Sequence, residues 1–142
     1  MNALQTILGG GGVIANELAK NLSTYTQNVR IVSRSNSTNL PNTTHHTADL
    51  LNANEVLKAV EGSSVVYLTA GLKYSAKVWQ NQWPIVMKNT LDACRKHNAK
   101  LVFFDNVYPY GKVQGWMTEE NSYAPCSVKG EVRANIANML MD

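Results

Sequence analysis

Hydrophobic and polar positions alternate between two periods along the chain. A strand-like run, ALQTILGG (3–10), is followed by four consecutive glycines and then by Ile14, Leu18 and Leu22. Spacing by four gives a helix one apolar stripe, so residues 13–23 are predicted helical. NVRIVSRS (28–35) reads as the next strand and the polar stretch NSTNLPNTT (36–44) as a loop. HHTAD (45–49) is read as a short strand, and NANEVLKAVEG (52–62) as a helix stopped by Gly62. SSVVYLTAG (63–71) and KLVFFDN (100–106) are apolar runs bounded by turn residues, the pattern of strands buried on both faces. Between them, residues 79–98 are helical, with Pro84 opening or kinking the helix. The last segment carries Val128, Val132, Ile136 and Leu140 on one face behind Pro125, so a final helix is predicted to begin there.

Such alternation predicts an α/β domain, a parallel sheet wound with helices on both faces, its five strands in the order 3-2-1-4-5. One domain spans residues 1–142. The glycines then fall between the first strand and the first helix. Gly9, Gly12 and Ala15 form a G-x-x-G-x-x-A pattern. Gly9 permits a tight turn, Gly12 lets the backbone approach a pyrophosphate, and small Ala15 keeps the helix near the strand. The N–H groups around Val13 and Ile14 would hold the phosphates. A tight turn without a ligand is the other reading of the same glycines.

The second strand ends in Val32-Ser33-Arg34. A carboxylate there would hold the 2′-hydroxyl of NAD, whereas a guanidinium suits a 2′-phosphate, so Ser33 and Arg34 favour NADP over NAD. A solvated surface arginine is the alternative.

Composition adds mostly exclusions. The net charge is +3, and the basic residues form no dense run, which argues against nucleic acid. No apolar run reaches membrane-spanning length. Cys94 and Cys126 show neither metal-ligand spacing nor a disulfide framework. His45 and His46 show no ligand spacing, and no metal site is predicted. Trp79, Trp83 and Trp116 are read as core or interface anchors. A cytoplasmic protein is the expectation.

From ILGGGGVIA through ADL, VVYLTAG and LVFFDNVYPYG to YAPCSVKGEVR, the chain resembles the extended short-chain dehydrogenase/reductases, in particular their NAD(P)-dependent epimerase/dehydratase branch. The resemblance covers essentially the whole chain and implies a Rossmann-type domain, truncated relative to the family and without its C-terminal substrate-binding part. It places Asp49 and Leu50 beside the adenine, and Ala70 and Gly71 against the ribose and phosphates. It also implies a sugar-nucleotide or small carbonyl substrate and a homo-oligomer paired through the helices at 79–98 and 125–141.

The family's acid–base chemistry rests on a Ser or Thr after the fifth strand and on Tyr-x-x-x-Lys. By that resemblance the first position falls on Asn106 and the tyrosine position on Pro125, while Lys129 is kept, where it would hold the nicotinamide ribose. Proline transfers no proton. Lys129, Asn106 and Tyr123 are the candidate catalytic residues, with Tyr123 reaching the site only if the helix start is irregular. Asp105, Asn106, Tyr108 and Tyr110 near the end of the fifth strand have structural readings as well, as strand caps and packed aromatics. Three functions stay open: an enzyme's dinucleotide-binding part, a non-catalytic NAD(P) sensor, and an assembly module that binds no cofactor.

Overall fold

The computed structural model describes residues 3–35 and 40–142. Of the predicted loop at 36–44, residues 36–39 lie outside the described residues. The chain packs as two compact units: Met1–Gly71 with Asn89–Phe104, and Leu72–Lys88 with Asp105–Asp142.

The first unit holds a parallel sheet of five strands: β1 (Leu4–Leu8), β2 (Val29–Ser33), β3 (Thr43–Thr47), β4 (Ser63–Leu68) and β5 (Lys100–Phe103). Their order is β3-β2-β1-β4-β5, the order the alternation predicts. β3 begins two residues before the predicted strand, because Thr43 and Thr44 pair with Val29 and Arg30 although neither is apolar. Helix α1 (Val13–Leu22) lays Ala15, Ala19 and Leu22 on Ile7, Val29 and Ile31 to form a core. Helix α2 (Ala53–Val60) is capped by Asn52, whose Oδ1 accepts from the Asn54 and Glu55 amides at 3.1 and 3.3 Å. Arg30 of β2 donates to the Ala59 and Glu61 carbonyls at the other end of α2 (2.7 and 2.9 Å).

Helix α3 (Ala76–His97) starts before the predicted 79 and runs through Pro84 without ending. An interior proline costs a helix about 3 kcal/mol. Trp79, Trp83, Val86 and Met87, all buried on either side of it, supply the packing that outweighs this cost.

β4 and β5 are not buried on both faces as expected. Val102 and Phe104 are exposed, and an apolar groove of about 400 Å³ opens there, lined chiefly by Ile14, Leu18, Tyr67, Val102 and Phe104. β5 is an edge strand, and α1 walls one side of the groove through Ile14 and Leu18.

The second unit carries a 3-10 turn at Tyr108–Tyr110 and helix α4 (Val128–Met141). α4 begins three residues after Pro125, because Ser127 caps it, its Oγ accepting from the Gly130 amide at 3.0 Å. Of the predicted stripe, Val132 and Ile136 are buried, Leu140 is half-buried and Val128 is exposed, while Arg133, Ala134 and Ala137 widen the buried face. Arg133 donates through Nε and Nη2 to Asp105 (2.9 and 2.6 Å) and lies 4.7 Å from the Trp83 ring centroid. Trp116 is 93% exposed and is no core anchor; residues 112–127 form neither helix nor strand that would bury it. No helix among the described residues is long and apolar enough to cross a membrane.

Candidate functional site

The order of the sheet reverses between β1 and β4, and open α/β sheets place ligands at the carboxyl ends of the strands beside such a reversal. The glycine turn sits at that edge. Gly9 has φ +108°, and a Cβ on it would run into the Ala70 backbone. Only glycine fits between the end of β1 and the end of β4. Gly10 is also constrained, though by side chains: its Cβ would overlap Cγ2 of Ile31 and come within 3.4 Å of Ser33 Cβ. The Gly9 and Gly10 amides both donate to the Val32 carbonyl (3.0 and 2.8 Å), which ties the turn to β2. Gly11 takes φ +91°. The motif reading gave roles to Gly9 and Gly12 and missed these middle two glycines. The signal for them was the run of four itself.

Gly12 differs from its neighbours. Its φ of −83° is ordinary, it caps α1, and a Cβ there would meet nothing within 4 Å. The first-turn amides of α1 have no partner inside the helix. Gly12 offers no side-chain cap, and the first turn holds no acidic residue. Val13 is 78% exposed, Ile14 is half exposed, and Gly71 likewise faces open space. Bare amides, positive helix dipole and free approach fit a pyrophosphate. Ala15, fully buried in the core under α1, plays the close-packing part expected of it.

At the end of β2, Ser33 Oγ lies 2.5 Å from the Ser35 carbonyl and 2.8 Å from Nε2 of His45. Arg34 is exposed. The contact from His45 was not visible in sequence, since it depends on the β2–β3 register, in which Ile31 pairs with His45. The Ala48 amide donates to the Ser33 carbonyl (3.1 Å), so Asp49 and Leu50 begin at the same sheet edge. Asp49 is exposed, and its Oδ1 accepts from the Leu51 amide (3.0 Å). The Leu50 carbonyl accepts from Asn89 Nδ2 (3.0 Å). Gly9, Gly12, Val13, Ile14, Ser33, Arg34, Asp49, Leu50, Ala70 and Gly71 therefore all belong to the carboxyl edge of one sheet.

The three candidate catalytic residues lie in the second unit, and each has different partners. Asn106 Oδ1 accepts from the Tyr108 amide at 3.1 Å, which makes it a turn cap. Tyr123 meets Tyr110 edge-on at 5.3 Å; burial first, then the charges of Asp105 and Tyr110, push its phenol up from the ordinary value. Lys129 places Nζ 4.0 Å from the centroid of the Tyr74 ring. Tyr74 was not singled out in the sequence, because nothing in the segment 72–75 marks it as a neighbour of α4.

The family model for the NAD dependent epimerase/dehydratase family matches residues 5–131. The Bordetella bronchiseptica enzyme WbmG, in complex with NAD and UDP, is 15% identical with a TM-score of 0.83, covering 99% of this chain and 50% of its own. MoeE5 in complex with UDP-glucose and NAD is 21% identical, with a TM-score of 0.81 over 96% of this chain and 48% of its own. The uronate dehydrogenase from Agrobacterium tumefaciens is 21% identical, with a TM-score of 0.76 over 98% and 55%. The chain thus spans about half the length of these structures, and they share its Rossmann-like fold. No curated protein sequence gives a significant match. A glycine turn open to a pyrophosphate, on a 3-2-1-4-5 sheet that the family model matches almost end to end, places the chain in the NAD-dependent epimerase/dehydratase family.

Proposed function

We propose that the chain is an NAD(P)-binding domain, with the pyrophosphate on the first-turn amides of α1 and the 2′-phosphate of NADP, the preferred cofactor, on Arg34. The observation that carries this reading is the open start of α1 at Gly12, which supplies no side-chain cap. The bound nicotinamide would supply or accept a hydride. In this chain Gly9 and Gly10 fix the turn, Ala70 and Gly71 wall the ribose and phosphates, and Asp49 and Leu50 flank the adenine. MoeE5 and WbmG are complexes with NAD and with UDP-glucose or UDP, and this supports a sugar nucleotide as the substrate class, with a small carbonyl compound as the alternative.

We further propose that this chain by itself has no oxidoreductase or epimerase turnover, which leaves a sensing or assembly role as the second reading. Pro125 stands at the proton-shuttle position, and Asn106 spends its Oδ1 on the Tyr108 amide. Positioned acid–base groups contribute about 10²–10⁴-fold to such reactions, so their loss leaves activity near background.

Calorimetry with NADP and NAD tests the binding site. Gly12→Val is expected to fold normally, since its Cβ meets nothing, and to lose dinucleotide binding. Arg34→Ala is expected to remove an NADP preference of about 1–2 kcal/mol. Unchanged affinity in folded Gly12→Val would sink the proposal, and clear NADPH oxidation by the wild-type chain with a sugar nucleotide or carbonyl compound would sink its second part.

A further inference from the structure

A cleft of about 420 Å³ in the second unit is lined by Tyr74, Ala76, Tyr108, Ser127, Val128 and Lys129. We propose that Tyr74, Tyr108 and Lys129 form a site for the carboxylate of a small organic acid. The two phenol oxygens are 3.2 Å apart, so one hydroxyl donates to the other and one proton of the pair remains for a ligand. The Lys129 ammonium rests on the Tyr74 ring and keeps its donors for a further acceptor. Ser127 adds a hydroxyl whose oxygen is already occupied by the Gly130 amide.

These groups are held by packing rather than by chance rotamers. The Tyr108 ring stacks on buried Trp79 at 6.1 Å, and the Tyr74 ring meets the same indole edge-on at 5.8 Å. A Cβ on Gly130 would lie 2.8 Å from the Tyr108 carbonyl, so α4 and the 3-10 turn are in close contact beside the cleft. The hydrogen bond and charge of Tyr74, then burial, raise the Tyr108 phenol above its ordinary value, while Lys129 acts in the opposite sense. At neutral pH the phenol is a proton donor. The lining contains one cation and no carboxylate. A single ammonium with hydroxyl donors matches a monoanion, whereas a phosphate dianion is typically met by arginine or by several amides.

This assignment goes beyond dinucleotide binding and does not depend on it, so the two proposals can fail separately. The test is amide chemical-shift titration of the full chain, without cofactor, using D-glucuronate, D-glucose and inorganic phosphate as probes. D-glucuronate is expected to shift the Tyr108, Val128 and Lys129 amides saturably, while the other two do not. Tyr74→Phe keeps the ring but removes a hydroxyl, and is expected to weaken the D-glucuronate response about threefold to tenfold. Lys129→Gln should abolish it and Lys129→Arg restore most of it. Equal responses to D-glucose and D-glucuronate, tighter binding of phosphate, or unchanged affinity in both Tyr74→Phe and Lys129→Gln would overturn the assignment. NADP calorimetry on the same samples reports the dinucleotide site separately.

Discussion

At the scale of single residues, the four glycines do four different things, and only part of this was legible beforehand. Gly9 was readable as a turn residue because its place after the first strand calls for one. The steric demand on Gly10 was not readable, since it comes from Ile31, more than twenty positions away and across a strand pair. Gly9→Ala is expected to destabilise the fold by about 2–4 kcal/mol, because it combines a positive φ with a clash against backbone that cannot move aside. Chemical denaturation measures this directly, and a loss below about 1 kcal/mol would mean that the turn relaxes. Gly12→Val, at an ordinary φ, should cost little by the same measurement. Lys129 shows where sequence reading of a site runs out. Its position on a helix could be counted, but its aromatic partner Tyr74 is brought to it by tertiary packing alone.

At the scale of elements, boundaries followed side-chain chemistry where a cap or an apolar period marked them. α2 starts where Asn52 and Glu55 form a reciprocal cap, with Asn52 Nδ2 donating to Glu55 Oε1 at 3.0 Å. Asn52→Ala is expected to cost about 1 kcal/mol of stability, read as a lower midpoint in urea with an unchanged slope. β3 was placed late because pairing, rather than hydrophobicity, makes Thr43 and Thr44 extended. α4 was placed early because Pro125 carries the same start signal as Ser127, and the hydroxyl cap prevails. β5 was read as doubly buried because its run is apolar throughout; whether a strand lies at an edge is a property of the sheet, not of its own residues.

At the scale of the whole molecule, we propose self-association, on the strength of the apolar groove beside β5. Contiguous exposed apolar surface of this kind marks interaction sites. Light scattering is expected to show a species larger than 15.6 kDa at micromolar concentration. A monomer throughout that range would count against it. The thiols give a second whole-molecule test. Burial pushes Cys94 up to about 11 from 9.0, while Cys126 is exposed. A raised folded-state value stabilises the fold below pH 9, and that contribution is lost as pH climbs toward about 11. One thiol, Cys126, is therefore expected to react with a thiol reagent in the native protein near pH 8, and both after denaturation. Two fast-reacting native thiols would show that Cys94 is accessible.

The placement of the tryptophans has a spectroscopic consequence. Trp79, Trp83 and Trp116 all lie in the second unit, two of them buried and one 93% exposed. Intrinsic fluorescence therefore follows the surroundings of Tyr74, Tyr108 and Arg133. Its red shift on denaturation comes from Trp79 and Trp83, over a constant background from Trp116. Cys94 belongs to the first unit. In a Cys126→Ser protein, the rate of thiol labelling at Cys94 reads the first unit and emission reads the aromatic cluster of the second, so each unit carries its own reporter.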